Sequence, residues 1–334
     1  MSSHFLQGKT VVVTGASSGV GRAIVRAAAS KGARVALIAR GLDGLSAAAR
    51  EVDELGGQSM VCALDLADAR AVDDAAARVV ARFGGIDVWV NNAMVSVFSP
   101  VSAMFAEEYR RVMEVNYLGT VHGTLAALTH MRQAGGGVIV QIGSALAYRS
   151  IPLQSAYCAS KAAIRGFTDS LRSELVHEKS AVEVTTLELP AMNTPQFQVV
   201  RNRLGKHARP VGTIYQPEVI AEAFLYAVEH PAREFWLGWS TIKAIVGQLF
   251  IPGPLDRHLA RVAWHAQTTA ALPAPSADNL DAPLPGDRGA HGIFDAEAKR
   301  TSVEVWLRTH PRAVTLGAVA LLLGGLVGAR KLLA

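Results

Sequence analysis

The chain lacks the features that mark several common protein classes. Its 334 residues include two cysteines, Cys62 and Cys158, so no disulfide framework and no metal-ligand spacing can be drawn, and no metal site is predicted. This cysteine usage is typical of a reducing compartment. The basic residues are scattered, without a Lys/Arg run that could follow phosphates, and we expect no nucleic-acid partner. No basic segment precedes an apolar one at the N-terminus, so no secretory signal is predicted.

The composition is that of a folded protein with a large core. Half of the residues are hydrophobic, which argues against global disorder. The length allows one large α/β domain and an additional C-terminal part. The formal net charge of +5 is also compatible with a protein that lies on an anionic membrane.

In residues 1–240, two kinds of sequence pattern alternate. Short β-branched or apolar runs are separated by Ala-rich segments with helical spacing. The predicted strands are 10–13, 34–39, 59–63, 88–90, 138–142 and 182–189, with a last strand at 234–238. The predicted helices are 22–30, 45–55, 69–83, 107–134 and 156–177. This alternation predicts an α/β fold, a doubly wound parallel β-sheet with helices on both faces.

The sequence pattern changes after residue 240. Residues 241–271 predict two amphipathic helices separated by the segment IPGP. Residues 272–292 are rich in Pro, Gly and Asp and predict an extended segment or linker. A short helix is predicted within residues 293–310, at 294–308.

The last segment, 311–334, contains an uncharged apolar run at 313–329. Such a run would be about 25 Å long as a helix, at the short limit for a bilayer of about 30 Å. Arg308, Arg312, Arg330 and Lys331 flank it and could extend its reach. We predict a single-pass membrane anchor that leaves the remaining chain cytoplasmic. The alternative is an apolar helix buried in a cytoplasmic, soluble protein or at a subunit interface.

The segment TGASSGVG, residues 14–21, follows the first predicted strand. A strand, a glycine turn and a helix start together make an anion site, because the helix N-terminus offers unpaired N–H groups. Gly15 would permit the tight turn, Gly19 would let a pyrophosphate approach the backbone, and Gly21 would let the helix pack on the strand. The pattern predicts dinucleotide binding, although it also occurs in ordinary turns.

Arg40 indicates which dinucleotide is bound. A carboxylate at the end of the second strand would pair with the ribose 2′-hydroxyl of NAD. Here the strand ends in Ala39 and Arg40, and a guanidinium suits a 2′-phosphate. NADP(H) is therefore favoured over NAD(H), unless Arg40 is a solvated loop charge.

Tyr157 and Lys161, in the segment YCASK, stand four residues apart on a predicted helix and share one face. An ammonium beside a phenol favours the phenolate and is expected to lower the pKa of Tyr157. Ser144 follows the strand 138–142, where the ligand crevice of a parallel sheet lies. Its hydroxyl could bind a substrate oxygen, while Tyr157 acts as general acid or base.

These motifs together resemble the short-chain dehydrogenase/reductase family, in its Rossmann-fold branch with a Tyr-x-x-x-Lys motif. The resemblance covers residues 6–238. It depends on the order of TGASSGVG, LDLAD, NNAM, VNYLGT, the Gly-Ser at 143–144 and YCASK.

The resemblance implies a role for each matching residue. Tyr157 would exchange a proton with the substrate oxygen, Lys161 would bind the nicotinamide ribose, and Ser144 would orient the substrate. Asn116 would hold a water that links Lys161 to solvent. Asp65 would touch the adenine, Asn91 would support the sheet and Thr194 would contact the carboxamide. The implied cofactor-binding residues are Thr14, Gly15, Ser17, Ser18, Gly19, Val20, Gly21, Arg40, Asp65, Leu66, Asn92, Ala93, Tyr157, Lys161, Pro190 and Thr194.

Two positions depart from the family pattern. Met94 stands where the family usually has Gly and could crowd the adenosine ribose. Pro190-Ala191 replaces the common Pro-Gly, and the spacing to Thr194 is one residue short.

The predicted function is that of an NADP(H)-dependent oxidoreductase that interconverts a carbonyl and a secondary alcohol. The predicted lid over the substrate, residues 192–215, mixes Phe197, Val199, Val200 and Leu204 with Arg201, Arg203, Lys206, His207 and Arg209. It would suit an apolar, lipid-like substrate with an anionic handle, unless the basic residues simply face water. The alternative is a catalytically silent dinucleotide-binding sensor or scaffold at a membrane. The resemblance also implies a homodimer or tetramer formed through helices 107–134 and 156–177.

Overall fold

The computed structural model describes residues 5–273, 277–311 and 313. The strands are β1 (Thr10–Thr14), β2 (Arg34–Ala39), β3 (Gln58–Ala63), β4 (Val88–Asn91), β5 (Val97–Phe98), β6 (Gly137–Ile142), β7 (Val182–Glu188), β8 (Ala191–Met192), β9 (Arg201–Asn202), β10 (Lys206–Ala208), β11 (Ile214–Tyr215), β12 (Glu234–Trp236) and β13 (Thr268–Pro273). The helices are α1 (Gly19–Ala29), α2 (Leu42–Glu54), α3 (Ala69–Phe83), α4 (Ala106–Val112), α5 (Gly119–Ala134), α6 (Ser155–His177), α7 (Gln196–Val199), α8 (Pro217–Glu229), α9 (Trp239–Phe250), α10 (Pro252–Ala266) and α11 (Val303–Thr309).

The central sheet has seven parallel strands in the order β12-β7-β6-β4-β1-β2-β3. Successive side chains of a strand point to opposite faces. Accordingly, Val11 and Val13 of β1 pack in one buried cluster with α1, α2 and α8. Val12 packs in the other, with α3, α5 and α6. This arrangement confirms the predicted doubly wound parallel sheet with helices on both faces.

The position of β1 explains where a ligand crevice forms. It pairs with β2 on one side and with β4 on the other, so the chain reverses direction across the sheet at this strand. In open α/β sheets, ligands bind outside the carboxyl ends of the strands at such a reversal. The glycine turn after β1 and the end of β4 therefore lie at this crevice.

The helix predicted at 107–134 is divided into three parts. A π-helical turn, Met113–Leu118, separates α4 from α5. The sequence pattern did not indicate it, because all three parts keep the same apolar spacing. The wider turn contains Asn116, and such turns occur frequently at functional sites.

The described residues after residue 240 form further helices and a strand that contact the preceding part of the chain. Helices α9 and α10 correspond to the two amphipathic helices predicted there, and Pro252 begins the second. The structure departs from the prediction at β13, which pairs antiparallel with β10. The short helix predicted from residue 294 begins at Val303, since residues 295–297 form a turn instead.

None of the helices in the described part of the chain is long and apolar enough to cross a bilayer. The predicted membrane anchor, residues 313–329, lies outside the described residues except for residue 313.

Candidate active site

The glycine turn brings the N-terminus of α1 to the edge of the sheet. Gly15 and Gly19 have φ angles of +66° and +59°, which favour glycine. A Cβ atom at Gly21 would lie 2.2 Å from the carbonyl oxygen of Gly15. The first turn of α1 therefore packs directly on the end of β1, as expected for Gly21, and its N–H groups point toward the crevice.

Thr14 joins the two strands on either side of the crevice. Its hydroxyl donates to the carbonyl oxygen of Val90 at 3.1 Å and accepts from the N–H of Asn92 at 2.9 Å and of Ala93 at 3.2 Å. The Asn92 amide donates to the carbonyl oxygen of Thr14 at 2.9 Å. Asn91 is buried between Trp89 and Thr124. Thr14 and Asn91 thus hold the edge of the sheet in place.

Ser144, Tyr157 and Lys161 meet at the end of β6. The Lys161 ammonium donates to the carbonyl oxygen of Ile142 at 2.7 Å and lies 5.8 Å from the centroid of the Tyr157 ring. Ser144 follows the same strand, accepts from the N–H of Leu146 at 3.1 Å and lines the same cavity as Tyr157 and Lys161. The strand end and α6 therefore bring the three predicted catalytic residues together.

The pKa values in this group are set mainly by burial. Burial lowers the pKa of Lys161 to about 8, and the Glu188 carboxylate acts in the opposite direction. Burial raises the pKa of Tyr157 above its usual value, and the Ser144 side chain lowers it in part. The sequence predicted a lowered pKa for Tyr157. The structure differs because desolvation of the phenolate outweighs the other influences.

Asn116 forms hydrogen bonds that connect the segments next to the site. Its side chain accepts from the N–H of Val95 at 2.8 Å and donates to the carbonyl oxygen of Val95 and to the Ser160 hydroxyl, both at 3.0 Å. These bonds tie the π-helical turn to α6 and to the chain after β4. They position Asn116 close to the helix face that carries Lys161.

A charged corner lies at the ends of β2 and β3. Arg40 approaches Asp65 to 4.0 Å, and Arg111 forms a close ion pair with the same carboxylate. Although burial opposes ionisation, the N–H of Ala67 and the Arg111 guanidinium hold the pKa of Asp65 below its usual value. Two guanidinium groups thus share one carboxylate, which leaves an excess of positive charge.

One cavity of about 500 Å³ connects these groups, a volume typical of small-molecule sites. Most of the predicted site residues line it, and these are Gly15, Ser17, Ser18, Gly19, Val20, Arg40, Asp65, Leu66, Asn92, Ala93, Ser144, Tyr157, Lys161, Pro190 and Thr194. Thr14, Gly21 and Asn116 are not among the lining residues. Met94 also lines the cavity.

Part of the cavity lining is apolar. Phe197, Val199 and Val200 of the predicted lid belong to this part, together with Leu146 and Ile151. The arginines of the lid bind carboxylates of the protein itself.

The ion pairs of these lid arginines reach several parts of the chain. Arg201 pairs with Asp278 and Asp281, and Arg203 pairs with Glu108. Arg209 pairs with Glu297. These ion pairs therefore attach the lid to α4 and to the C-terminal part of the chain.

Glu188 is a buried residue of the site that sequence reasoning missed. Its carboxyl group packs against Gly143, where a Cβ atom would lie 2.3 Å from Oε2. Burial and the nearby Glu234 raise the pKa of Glu188 to about 8. The sequence feature that could have indicated Glu188 is its position as a carboxylate near the end of the apolar run 182–189.

The comparisons with known proteins agree with this geometry. A family model described as short chain dehydrogenase matches residues 9–204. The chain belongs to the short chain dehydrogenase family.

Individual relatives and structures point the same way. The chain is 36% identical over 266 residues to the uncharacterised oxidoreductase YxnA of Bacillus subtilis, covering 78% of this chain and 74% of the relative. It is 32% identical over 231 residues to a fatty acyl-CoA reductase of Acinetobacter baylyi, covering 68% and 76%. An alcohol dehydrogenase from the archaeon Thermococcus sibiricus, solved with 5-hydroxy-NADP, matches with a TM-score of 0.60 at 30% identity and covers 68% of this chain and 94% of that one.

Proposed function

We propose that the protein is an NADP(H)-dependent oxidoreductase that interconverts a carbonyl and a secondary alcohol on an apolar substrate. The observation that carries the proposal is the cavity that is lined by the glycine turn, by the Ser144–Tyr157–Lys161 group and by a set of apolar side chains. A scaffold that only binds a dinucleotide has no need of the catalytic group, so the catalytically silent alternative is not favoured.

The residues present fit a nicotinamide dinucleotide. The N-terminus of α1 and the hydroxyl-bearing Ser17 and Ser18 line the cavity and suit a pyrophosphate. Arg40 and Arg111, with their excess positive charge over Asp65, suit a ribose 2′-phosphate, which supports NADP(H). When bound, this cofactor supplies or accepts the hydride.

The chain itself manages the proton and the orientation of the substrate. In the direction of reduction, the Tyr157 hydroxyl donates its proton to the substrate oxygen, and the Ser144 hydroxyl donates a hydrogen bond to the same oxygen. Lys161, when protonated, stabilises the phenolate that this transfer leaves. The substrate enters as a carbonyl compound and leaves as an alcohol with one hydride and one proton added.

An apolar, lipid-like substrate is supported by aromatic and aliphatic residues that line the cavity, Phe197, Val199 and Val200. A fatty acyl-CoA reductase among the relatives is consistent with this class. The arginines of the lid are engaged in ion pairs, so the proposal includes no anionic handle.

The experiment that tests the proposal is a titration of the purified chain with NADPH and with NADH, followed by a turnover screen. The screen would use linear and cyclic ketones of increasing chain length. We expect binding of NADPH and reduction of at least one long-chain carbonyl. Binding without turnover of any carbonyl would favour the scaffold, and the absence of dinucleotide binding would contradict the proposal.

A further inference from the structure

Residues 277–292, which we call the strap, cross the outside of the dinucleotide cleft. They contain no helix or strand and lie beyond the residues 9–204 that match the family model. Asn279, Pro283, Leu284, Gly286 and Arg288 of the strap line the same cavity as the glycine turn. The strap therefore forms one wall of the candidate cofactor site.

The first contact of the strap is with the glycine turn. The N–H of Gly19 donates to the carbonyl oxygen of Gly289 at 3.0 Å. Gly19 is the first residue of α1, so this N–H is one of the unpaired donors that a helix offers to an anion. The strap thus places a carbonyl oxygen where a phosphate oxygen would be expected.

The second contact is at the charged corner. The Arg40 guanidinium donates to the carbonyl oxygens of Asn279 and of Leu280, the latter at 3.2 Å. Arg111 donates to the same carbonyl oxygen of Leu280 at 3.1 Å. The groups proposed for the ribose 2′-phosphate are therefore already bound to the main chain of the strap.

The attachments of the strap are mostly polar, with two buried apolar side chains. Leu280 is fully buried against Val95, Val112 and Val115. Ala290 is also buried, against Ala23 and Ala221. The polar attachments include the ion pairs of Arg201 with Asp278 and Asp281, the ion pair of Arg22 with Asp287 at 3.3 Å and the bond from the Gly286 N–H to Asp43 at 2.7 Å. Several of these groups are exposed, and segments with few buried apolar contacts open locally at low cost.

We propose that the strap is an autoinhibitory gate of the dinucleotide site. In its closed position it occupies the Gly19 N–H and the Arg40 guanidinium, and the cofactor binds only when the strap has moved away. This inference depends on the proposed function. Because strap and cofactor use the same donors, each must weaken the binding of the other to the same extent.

A disulfide across the strap would test the gate. A Cβ atom at Gly41 would lie 3.4 Å from the Cβ of Pro283, near the separation of about 3.5–4.5 Å found in disulfides. The variant combines Gly41→Cys with Pro283→Cys in the full chain. The native thiols Cys62 and Cys158 are buried, so thiol titration reports on the new pair.

We expect the bridge to form on oxidation and the bridged chain to lose at least tenfold in NADPH affinity, with recovery after reduction. NADPH added beforehand should slow bridge formation. Equal NADPH affinity in the bridged and reduced chains would overturn the proposal, because the strap would then be a fixed wall. Failure of the bridge to form would overturn it too.

A second variant opens the strap instead of closing it. Leu280→Ala should weaken the closed position and increase NADPH affinity several-fold, mainly through faster association. Leu175→Ala, which removes a leucine that is also buried but lies in the cluster on the other face of the sheet, is the control. Weaker NADPH binding in Leu280→Ala, with no change in the control, would overturn the gate and make the strap part of the binding site.

The two proposals fail in different ways. In one outcome the bridge forms, but neither the reduced variant nor the unaltered chain binds NADPH or NADH. The proposed function is then wrong, and the gate proposal, which depends on it, is wrong too. If the reduced variant binds NADPH and the bridge has no effect, only the gate is wrong.

Discussion

The Lys161 ammonium lies 2.7 Å from the carbonyl oxygen of Ile142, the last residue of β6. This bond joins α6 to the strand that leads into Ser144, and so it sets the position of the amine relative to both Ser144 and Tyr157. Lys161 is 4% exposed, and burial lowers its pKa to about 8. The charge of the site therefore changes close to physiological pH.

Carbonyl reduction is expected to fall as the pH rises through about 8. Below this pKa Lys161 is protonated and can stabilise the Tyr157 phenolate, whereas above it the amine is neutral. The measurement is the pH profile of kcat/KM, which reports groups of the free enzyme. Lys161→Arg keeps the charge, so its residual activity should not decline in this range. The same decline in Lys161→Arg would contradict the assignment.

Tyr157→Phe should reduce turnover by roughly 10²–10⁴-fold, because it removes the proton donor, while NADPH binding persists. Tyr148→Phe is a matched control, since the Tyr148 hydroxyl binds Glu234 at 2.6 Å and Tyr148 is not among the cavity-lining residues. Single-turnover kinetics and NADPH fluorescence separate the two effects. Turnover that survives in Tyr157→Phe would show that another group supplies the proton.

Arg40→Ala should weaken NADPH binding more than NADH binding, by at least tenfold in the ratio of the two dissociation constants. The reason is the loss of a charge-assisted donor to the 2′-phosphate. The ratio is the right quantity, because release of the strap would affect both dinucleotides equally. Arg26→Ala, which removes a guanidinium of α1 that pairs with Glu51 of α2, is the control. An unchanged ratio would exclude the 2′-phosphate role.

Glu188→Gln should change how stability depends on pH. The pKa of Glu188 is raised to about 8 by burial and by Glu234, while Lys161 and Arg165 act in the opposite direction. The folded chain keeps this proton at pH values where the unfolded chain has lost it. The free energy of unfolding of the unaltered chain therefore falls as the pH rises from about 4.5 to 8.

The variant lacks this contribution. The free energy of unfolding of the variant minus that of the unaltered chain should therefore increase as the pH rises across that interval. Urea unfolding at pH 5, 6.5 and 8 measures it, because the midpoint and slope give the free energy at each pH. A constant difference would mean that Glu188 is ionised in the folded chain.

The predicted anchor is tested by truncation. The full chain should sediment with membranes and resist a high-salt wash, because an apolar run of about 17 residues partitions into lipid. A chain ending at Pro311 should remain in the supernatant. Full-length protein that stays in the supernatant without detergent would favour the buried-helix alternative.

The sequence alone determined the sheet and the central motifs of this protein. Strand and helix periodicities are local, so β1, β2 and the helices after them could be predicted from short segments. The same holds for Tyr157 and Lys161, which share a face because they are four residues apart on one helix. Arg40 was identified for a similar reason, as the residue that ends a recognisable strand.

Only the tertiary structure decided what surrounds these residues. The bond between Gly19 and Gly289 and the contact of Glu188 with Gly143 join segments that are far apart in the sequence. No local pattern encodes such contacts. The pKa of Tyr157 shows the same limit, because its neighbours four residues away indicated a decrease, whereas burial by the whole fold raises it. Desolvation depends on everything packed around a group, and that is a property of the folded chain.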